Sequence, residues 1–219
     1  MIIAIDGPAG SGKSTVAKLV AKKLGFSYID TGAMYRAVAY KVIKENIPLE
    51  RLPEILENLD LKLLDTNEGV KVILDGEDIT DKIRTEQIGK KASQIAKIPE
   101  VRKKLVQLQR KLGLKAKNAV LEGRDIGTVV FPDAQLKIFL TASAKERARR
   151  RYNQLREKGL KISYDEILKA VIERDKTDME RKESPLKPAE DAVIIDTTNK
   201  TIDEVVQMII NIAKERKLT

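Results

Sequence analysis

Between a short apolar run at Ile2–Asp6 and an amphipathic pattern that aligns Val16, Leu19, Val20 and Leu24 lies Gly7-Pro8-Ala9-Gly10-Ser11-Gly12-Lys13-Ser14. Few backbones accommodate that stretch. The spacing fits G-x-x-x-x-G-K-[ST] throughout, with a strand before it and a helix after it. Its glycines let the chain curl so that successive N–H groups point inward at an anion. The helix that follows adds unpaired N-terminal donors and the positive end of its dipole. Lys13 supplies a mobile cation for the β- and γ-phosphates of a nucleotide, and the Ser14 hydroxyl sits where Mg²⁺ needs an oxygen ligand. The stretch Gly7, Pro8, Ala9, Gly10, Ser11, Gly12, Lys13, Ser14 and Thr15 is therefore expected to bind a nucleoside triphosphate.

Downstream, short apolar runs alternate with helical patterns, the signature of a parallel sheet wrapped by helices. The first helix is expected to stop before Gly25. Residues 26–30 read as a second strand leading into a helix over 33–45, and later strands are expected at 119–122, 136–140 and 192–196. Three helix starts carry a capping box: Ser143 with Glu146, Ser163 with Glu166, and Thr201 with Glu204. The last helix gathers Val205, Val206, Ile209, Ile210 and Ala213 on one side, as a helix lying on a sheet should.

Residues 46–118 break the rhythm. Two β-like runs, 61–65 and 70–74, flank Thr66-Asn67-Glu68-Gly69, and Asp75-Gly76 turns the chain again. That pattern predicts a small antiparallel ribbon. Two polar-rich helices follow, over 85–97 and 99–113. The stretch reads as an insertion between the second and third core strands. A shorter insertion, a basic helix and a turn at Gly159, lies between Lys145 and Ser163.

At 219 residues and 42% apolar content the chain suits one α/β domain with insertions. With no Cys there is no disulfide, zinc-thiolate site or thiol nucleophile, and with no His there is no imidazole base for a hydrolase triad. Forty-two basic against 33 acidic side chains give a charge of +9, which asks for anionic partners: nucleic acid, membrane phosphate or a small phosphorylated substrate. Much of the excess is scattered Lys on helical repeats, the usual mark of a solvated surface. A charged content of 34% without Cys, His or Trp leans towards a thermophilic source. The apolar runs are too short to span a bilayer. Asp6 interrupts the first of them, so no secretory leader is expected and the cytoplasm is the expected compartment.

Other nucleotide-hydrolysing classes fit poorly. Asn199-Lys200-Thr201-Ile202 puts Ile where a guanine-reading N-K-x-D needs Asp, and a D-x-x-G switch is absent. Val120-Leu121-Glu122 offers a single carboxylate where a motor usually has a pair. A phosphotransferase must instead hold two polyanions in line against their repulsion, which calls for Arg from several elements. Arg36 follows the second strand and Arg124 the third, on the sheet edge where such folds bind ligands. Arg147 and Arg151 share a helical face, with Arg149 and Arg150 beside them, and suit a lid over the nucleotide, a solvated basic helix or a nucleic-acid contact. Arg174, Asp178 and Arg181 also share a face, which an i,i+4 ion pair alone would explain. A phosphate acceptor is already ionised, so the lack of His is no obstacle.

The chain resembles the bacterial cytidylate (CMP) kinases, within the P-loop nucleoside monophosphate kinases, over nearly its whole length. The resemblance rests on Ile5-Asp6-Gly7-Pro8 through Ser14, Asp30-Thr31-Gly32-Ala33-Met34-Tyr35-Arg36, Ala92-Ser93-Gln94 and Pro99 to Arg102. It continues in Gly123-Arg124-Asp125-Ile126-Gly127-Thr128-Val129-Val130-Phe131-Pro132, Glu173-Arg174-Asp175 and Ser184-Pro185-Leu186, with Asp75-Gly76-Glu77-Asp78 similar to the family's extra sheet. It implies that Thr31, Tyr35 and Arg36 line a monophosphate pocket, with Arg36 and Arg124 on the acceptor phosphate. Ser93, Arg102 and Asp125 would read the cytosine edge, and Arg174, Asp178 and Arg181 would contact sugar and phosphates. The family often has Ser at Thr31, and either residue keeps a hydroxyl.

The expected architecture is an α/β P-loop NTPase three-layer fold with a five-stranded parallel core sheet. The core would comprise residues 1–30, 119–145 and 163–219, with a monophosphate-binding insertion at 31–118 and a short lid at 146–162. The expected activity is transfer of the γ-phosphoryl group of MgATP to CMP or dCMP, with Lys13, Arg124, Arg147, Arg151 and Arg174 as the catalytic cations and Ser14 as the metal ligand. The chain is expected to act as a monomer on small nucleotides, without a nucleic-acid or membrane partner. Two alternatives remain: a P-loop kinase for another monophosphate or small acceptor, and a nucleic-acid-stimulated ATPase, for which 4% aromatic residues leave few stacking platforms.

Overall fold

Five parallel strands carry the site, and a computed structural model describes them within residues 1–66 and 69–218. In chain order, β1 (Ile2–Asp6), α1 (Lys13–Leu24), β2 (Ser27–Asp30) and α2 (Thr31–Lys44) open the fold. A short helix α3 (Leu52–Glu57) precedes the ribbon β3 (Leu61–Thr66), β4 (Gly69–Leu74) and β5 (Glu77–Asp78), and then come α4 (Glu86–Ile95) and α5 (Pro99–Lys115). The chain re-enters the main sheet with β6 (Ala119–Gly123) and β7 (Leu136–Thr141). It ends with α6 (Ala144–Glu157), α7 (Tyr164–Glu180), β8 (Val193–Asp196) and α8 (Ile202–Glu215).

The sheet order is β2-β6-β1-β7-β8, all neighbours parallel. Alternation along β1 divides two apolar layers. Ile3 and Ile5 pack with Val16 and Val20 of α1 and with Val205 and Ile209 of α8, while Ile2 and Ala4 pack with Val106 of α5 and Phe131. Residues 46–118 pack on α2 around a separate core, in which Met34 and Val38 of α2 meet Leu56, Val72, Ile88 and Leu105. A fourth, small cluster joins α6 to α7 through Ala148, Leu155 and Ile167.

Local chemistry explains the boundaries. Gly25 ends α1 with φ 68°, and its N–H returns to a carbonyl of the last turn. The second helix starts at Thr31, two residues ahead of the sequence expectation, because the Asp30 carboxylate caps it by accepting the Ala33 N–H at 2.9 Å. Asp75 (φ 50°) and Gly76 (φ 82°) make the left-handed pair that a tight hairpin needs, which adds β5 to the expected ribbon. The other ribbon turn contains Asn67 and Glu68, which lie outside the described residues. The boxes at Ser163 and Thr201 close on both sides. The one expected at Ser143 closes on one side only: Ser143 accepts the Glu146 N–H, but the Glu146 carboxylate turns to Arg149 at 2.8 Å and Arg150 at 2.9 Å. Sequence periodicity misses α3 and the π-helical turn Ile126–Val130, which closes on the Asp125 and Ile126 carbonyls.

Because Thr201 accepts from Glu204 N–H while Glu204 accepts from Thr201 N–H, Thr201→Ala should lower stability by about 1 kcal/mol in urea unfolding. A change within about 0.2 kcal/mol would contradict this account of how α8 begins.

Candidate active site

Parallel pairing aligns the carboxyl ends of three strands. Asp6 of β1 lies beside Gly123 of β6, and Glu122 of β6 lies beside Asp30 of β2. The loops that leave these ends open into one cleft of about 2990 Å³, which also receives residues from the ribbon, α4 and the α6–α7 hairpin. All the residues expected at the site line it except Gly7, Pro8 and Ser11.

The glycine loop is built as its spacing requires. Gly7 has φ 155°, and a Cβ there would lie 2.1 Å from the Leu140 carbonyl oxygen, so no other residue fits. Gly10 and Gly12 also take positive φ, at 80° and 88°. The outward carbonyls of the loop are held from outside. Arg147 donates to Ala9 O at 3.1 Å, Arg150 to Gly10 O at 3.4 Å, and the buried Thr197 hydroxyl to Ser11 O at 3.1 Å. Arg150 and Thr197 had no sequence signal that could have placed them here, since both act through long-range backbone contacts.

Lys13 is buried, with Nζ 3.3 Å from Pro8 O. Burial first, then the nearby Arg124 guanidinium, pushes its ammonium down to about 7. Glu122 lies beneath it, accepting the Tyr28 hydroxyl at 2.7 Å and the Ser14 hydroxyl. Burial and the neighbouring Asp30 carboxylate raise its pKa. Asp6 accepts the N–H groups of Ile126 and Gly127, each at 2.8 Å, and burial raises it to about 7.

Four further arginines reach the cleft from four elements. Arg36 bonds Asp30 at 2.7 Å, and Gly32 leaves room for it, since a Cβ there would lie 3.0 Å from the guanidinium. The Thr31 hydroxyl donates to Glu122 O at 2.7 Å, so in this structure it braces α2 against β6. Arg124 bonds Asp178 at 3.1 Å. Arg102 pairs with Asp125 out of solvent, lies over the Tyr35 ring at 5.6 Å and donates to Ala96 O at 3.2 Å. Burial opposes the Arg102 charge, but Asp125 outweighs it and holds the guanidinium above its usual range. Burial pushes the Tyr35 phenol up to about 12. Arg181 sits just past the end of α7, donating to Ser184 O at 2.6 Å. The Arg102 Nε and one terminal nitrogen of Arg181 are buried without partners. Ser93 lines the same pocket from α4.

The two α6 arginines differ. Arg147 is buried and forks onto Asp175 of α7, while Arg151 faces the cleft near Arg174. Arg174 projects into the cleft, and the surrounding walls, then Arg124, Arg36 and Arg151, push its guanidinium down to about 10. Asp178 moves the other way, because Arg124, Arg174 and Arg181 overcome the effect of burial and lower its pKa. A divalent cation accompanying a phosphate chain fits this cleft. Among the described residues no cluster of three ligating side chains could hold a metal alone, but the Ser14 hydroxyl beside the Glu122 carboxylate is the sparse donor set Mg²⁺ uses with substrate phosphates.

The folded chain releases the Lys13 proton near pH 7, whereas the unfolded chain keeps it until the ordinary value of 10.5. The unfolded state binds more protons over that window, so Lys13 contributes stability that rises with pH from 7 and is missing below it. Lys13→Met should raise stability at pH 7 by on the order of 1 kcal/mol and flatten the rise. A variant with an unchanged pH slope in urea unfolding would contradict the buried placement.

A model of the cytidylate kinase family matches residues 3–215. A cytidylate kinase from Caldicellulosiruptor saccharolyticus is 52% identical over 213 residues, covering 96% of this chain and 94% of the relative. Another from Caldanaerobacter subterraneus is 55% identical over 210 residues, covering 94% and 92%. An uncharacterized protein from Eubacterium ventriosum shares the fold, with a TM-score of 0.54 at 15% identity over 98% of both chains.

Proposed function

The chain belongs to the cytidylate kinase family and is an ATP-dependent kinase that moves the γ-phosphoryl group of ATP to CMP or dCMP, and on that premise we propose how its cleft divides the work. The observation that carries the reading is an imbalance of charge. Arg36, Arg102, Arg124 and Arg147 each hold a carboxylate, whereas Lys13 and Arg174 have none within salt-bridge distance among the described residues. These two are also cations whose charged form is disfavoured in the free protein. Phosphate oxygens would supply the missing countercharge.

In this reading residues 7–15 hold the triphosphate, with inward N–H groups on its oxygens and Lys13 reaching the β- and γ-phosphates. Ser14, with Glu122 beside it, would hold Mg²⁺, which neutralises charge on the phosphate chain when bound. Arg36 and Arg124 turn from Asp30 and Asp178 to the acceptor phosphate, while Arg174 and Arg151 face the group in transit. Arg147 steadies Ala9 and α7 from behind. An acceptor phosphate oxygen then bonds to the γ-phosphorus as the bond to the bridging oxygen breaks, ADP leaving with that electron pair. No base is required, because the attacking oxygen carries no proton. Ser93, Arg102 and Asp125 read the base, the unpartnered Arg102 Nε providing one free donor. Asp178 and Arg181 face the sugar, and Thr31 and Tyr35 wall the pocket.

The insertion at 31–118 would then carry the monophosphate, and 146–162 would form the lid whose closure excludes water, a competing acceptor. One chain supplies every group named, which supports a monomer. Free nucleotides rather than nucleic acid suit a chain with 4% aromatic residues, and no described helix is long and apolar enough to cross a membrane. The charged composition supports a thermophilic source.

A coupled assay of ADP release with CMP, dCMP, UMP and AMP tests the whole reading. CMP and dCMP should be the productive acceptors, and stimulation by polynucleotide but not by CMP would overturn it. Arg124→Ala should raise KM for CMP by roughly 10- to 100-fold, the worth of a charge-assisted phosphate contact, with little change for ATP. Equal effects on both substrates would misplace that residue.

A further inference from the structure

Asp6 is the last residue of β1, directly before the glycine loop, and is buried with 5% exposure. Its carboxylate does not face either substrate pocket, and nothing in the phosphoryl-transfer scheme uses it. Both of its oxygens are instead spent on the loop that follows β6: Oδ1 accepts the Ile126 N–H and Oδ2 the Gly127 N–H, each at 2.8 Å. Those are the two peptides immediately after Arg124 and Asp125. Two further bonds lock the same turn, because the Asp125 carbonyl accepts the N–H groups of Val129 at 2.9 Å and Val130 at 3.1 Å. The Ile126 side chain is fully buried, and a Cβ on Gly127 would stand 3.2 Å from the Lys137 side chain, so the turn has no slack on that side either.

We propose that Asp6 is a positioning residue for the acceptor nucleotide: by gripping the Ile126 and Gly127 peptides from the end of β1, it fixes where Arg124 and Asp125 stand relative to the glycine loop. Neighbouring strands alone fix the backbone only as far as Gly123, where the β1–β6 pairing ends. Beyond it, the Asp6 carboxylate is the element that refers the acceptor-side loop back to the donor side, one residue from Gly7. A neutral amide cannot replace it. Its single oxygen serves one N–H, and its NH₂ opposes the other, so one peptide turns away and the side chains ahead of it move. Displacements near 1 Å suffice to cost a phosphotransferase dearly, because the reacting oxygens must stay in line.

The proposal rests on the assignment of Arg124 and Asp125 to the acceptor, and the experiment separates the two. Steady-state kinetics for Asp6→Asn, Arg124→Ala and the double variant are compared, with ATP-analogue binding and urea unfolding measured on each. Asp6→Asn should raise KM for CMP by about 10-fold or more and leave KM for ATP within about 2-fold. In the Arg124→Ala background the same substitution should have much less effect on KM for CMP, since both act through one loop. Should Asp6→Asn fold poorly, Gly127→Ala, whose Cβ would press on Lys137 at 3.2 Å and meet Asp6 Oδ2 only at van der Waals distance, 3.5 Å, keeps the carboxylate and should give the same acceptor-selective rise. An Arg124→Ala effect on CMP without an Asp6→Asn or Gly127→Ala effect overturns the proposal alone. So does an equal rise for both substrates, which is what general loosening would give. Absence of any CMP effect from Arg124→Ala overturns the assignment beneath it.

Discussion

Repulsion between like charges is the constraint under which this cleft is built. Six cationic side chains or more converge on it, and two such charges 4 Å apart in a partly buried setting repel by about 4 kcal/mol. The fold answers with carboxylates placed from the strand ends and from α7: Asp30 for Arg36, Asp125 for Arg102, Asp178 for Arg124 and Asp175 for Arg147. Neutralisation is incomplete at Lys13 and Arg174, which have no carboxylate within salt-bridge distance among the described residues and which the proposed scheme places against phosphates. Lys13 and Arg174 carry the residual strain, seen as depressed affinities for their own protons. A ligand with several negative charges relieves that strain, so the same arrangement that costs stability in the free chain favours binding.

Sheet order makes this arrangement compact. Strand β1 lies between β6 and β7, so the glycine loop leaves the sheet next to the Gly123-Arg124-Asp125 loop on one side and against Leu140 on the other. The glycine loop and Arg124 are thus held at adjacent strand ends, while Arg36, Ser93 and Arg102 reach the cleft from α2, α4 and α5. The ribbon and helices α2 to α5 share one apolar core, from which α5 also reaches the main sheet through Val106, and α6 with α7 form another. Rigid reactive loops on the sheet, flanked by units with their own cores, suit an enzyme that must enclose two substrates and release two products.

Much of this was legible from residue patterns. The glycine loop, the five strands, the ribbon and the two fully closed capping boxes each have a local signature: turn-specific residues, period-2 or period-3.6 alternation, or a Ser/Thr with Glu three places on. What escaped has no such signature. The π-helical turn after Asp125 depends on the Asp6 carboxylate, some 120 residues away in sequence, and α3 is too short for periodicity to register. Glu146 has the spacing of a capping residue, yet two arginines on its own helix outcompete the backbone for its carboxylate. Strand order could not be read either, because periodicity tells which faces are apolar and not which strands are neighbours.

The site shows the same division. Arg36, Arg102, Arg124 and Arg147 could be singled out by residue type and placement, but their countercharges could not, since each pairing except the local one of Arg36 with Asp30 joins residues far apart in sequence. Asp6 stands in the sequence as the end of a strand before the glycine loop and Arg150 as a neighbour of two candidate lid arginines, while nothing in the pattern points to Thr197. A crystal structure with CMP and a non-hydrolysable ATP analogue bound together tests the central claim most directly. The account predicts the terminal phosphate mimic near Lys13 and the CMP phosphate between Arg36 and Arg124, with Arg174 contacting one or both. Two nucleotides bound with their phosphates far apart, or Lys13 and Arg174 left without a phosphate oxygen, would contradict it.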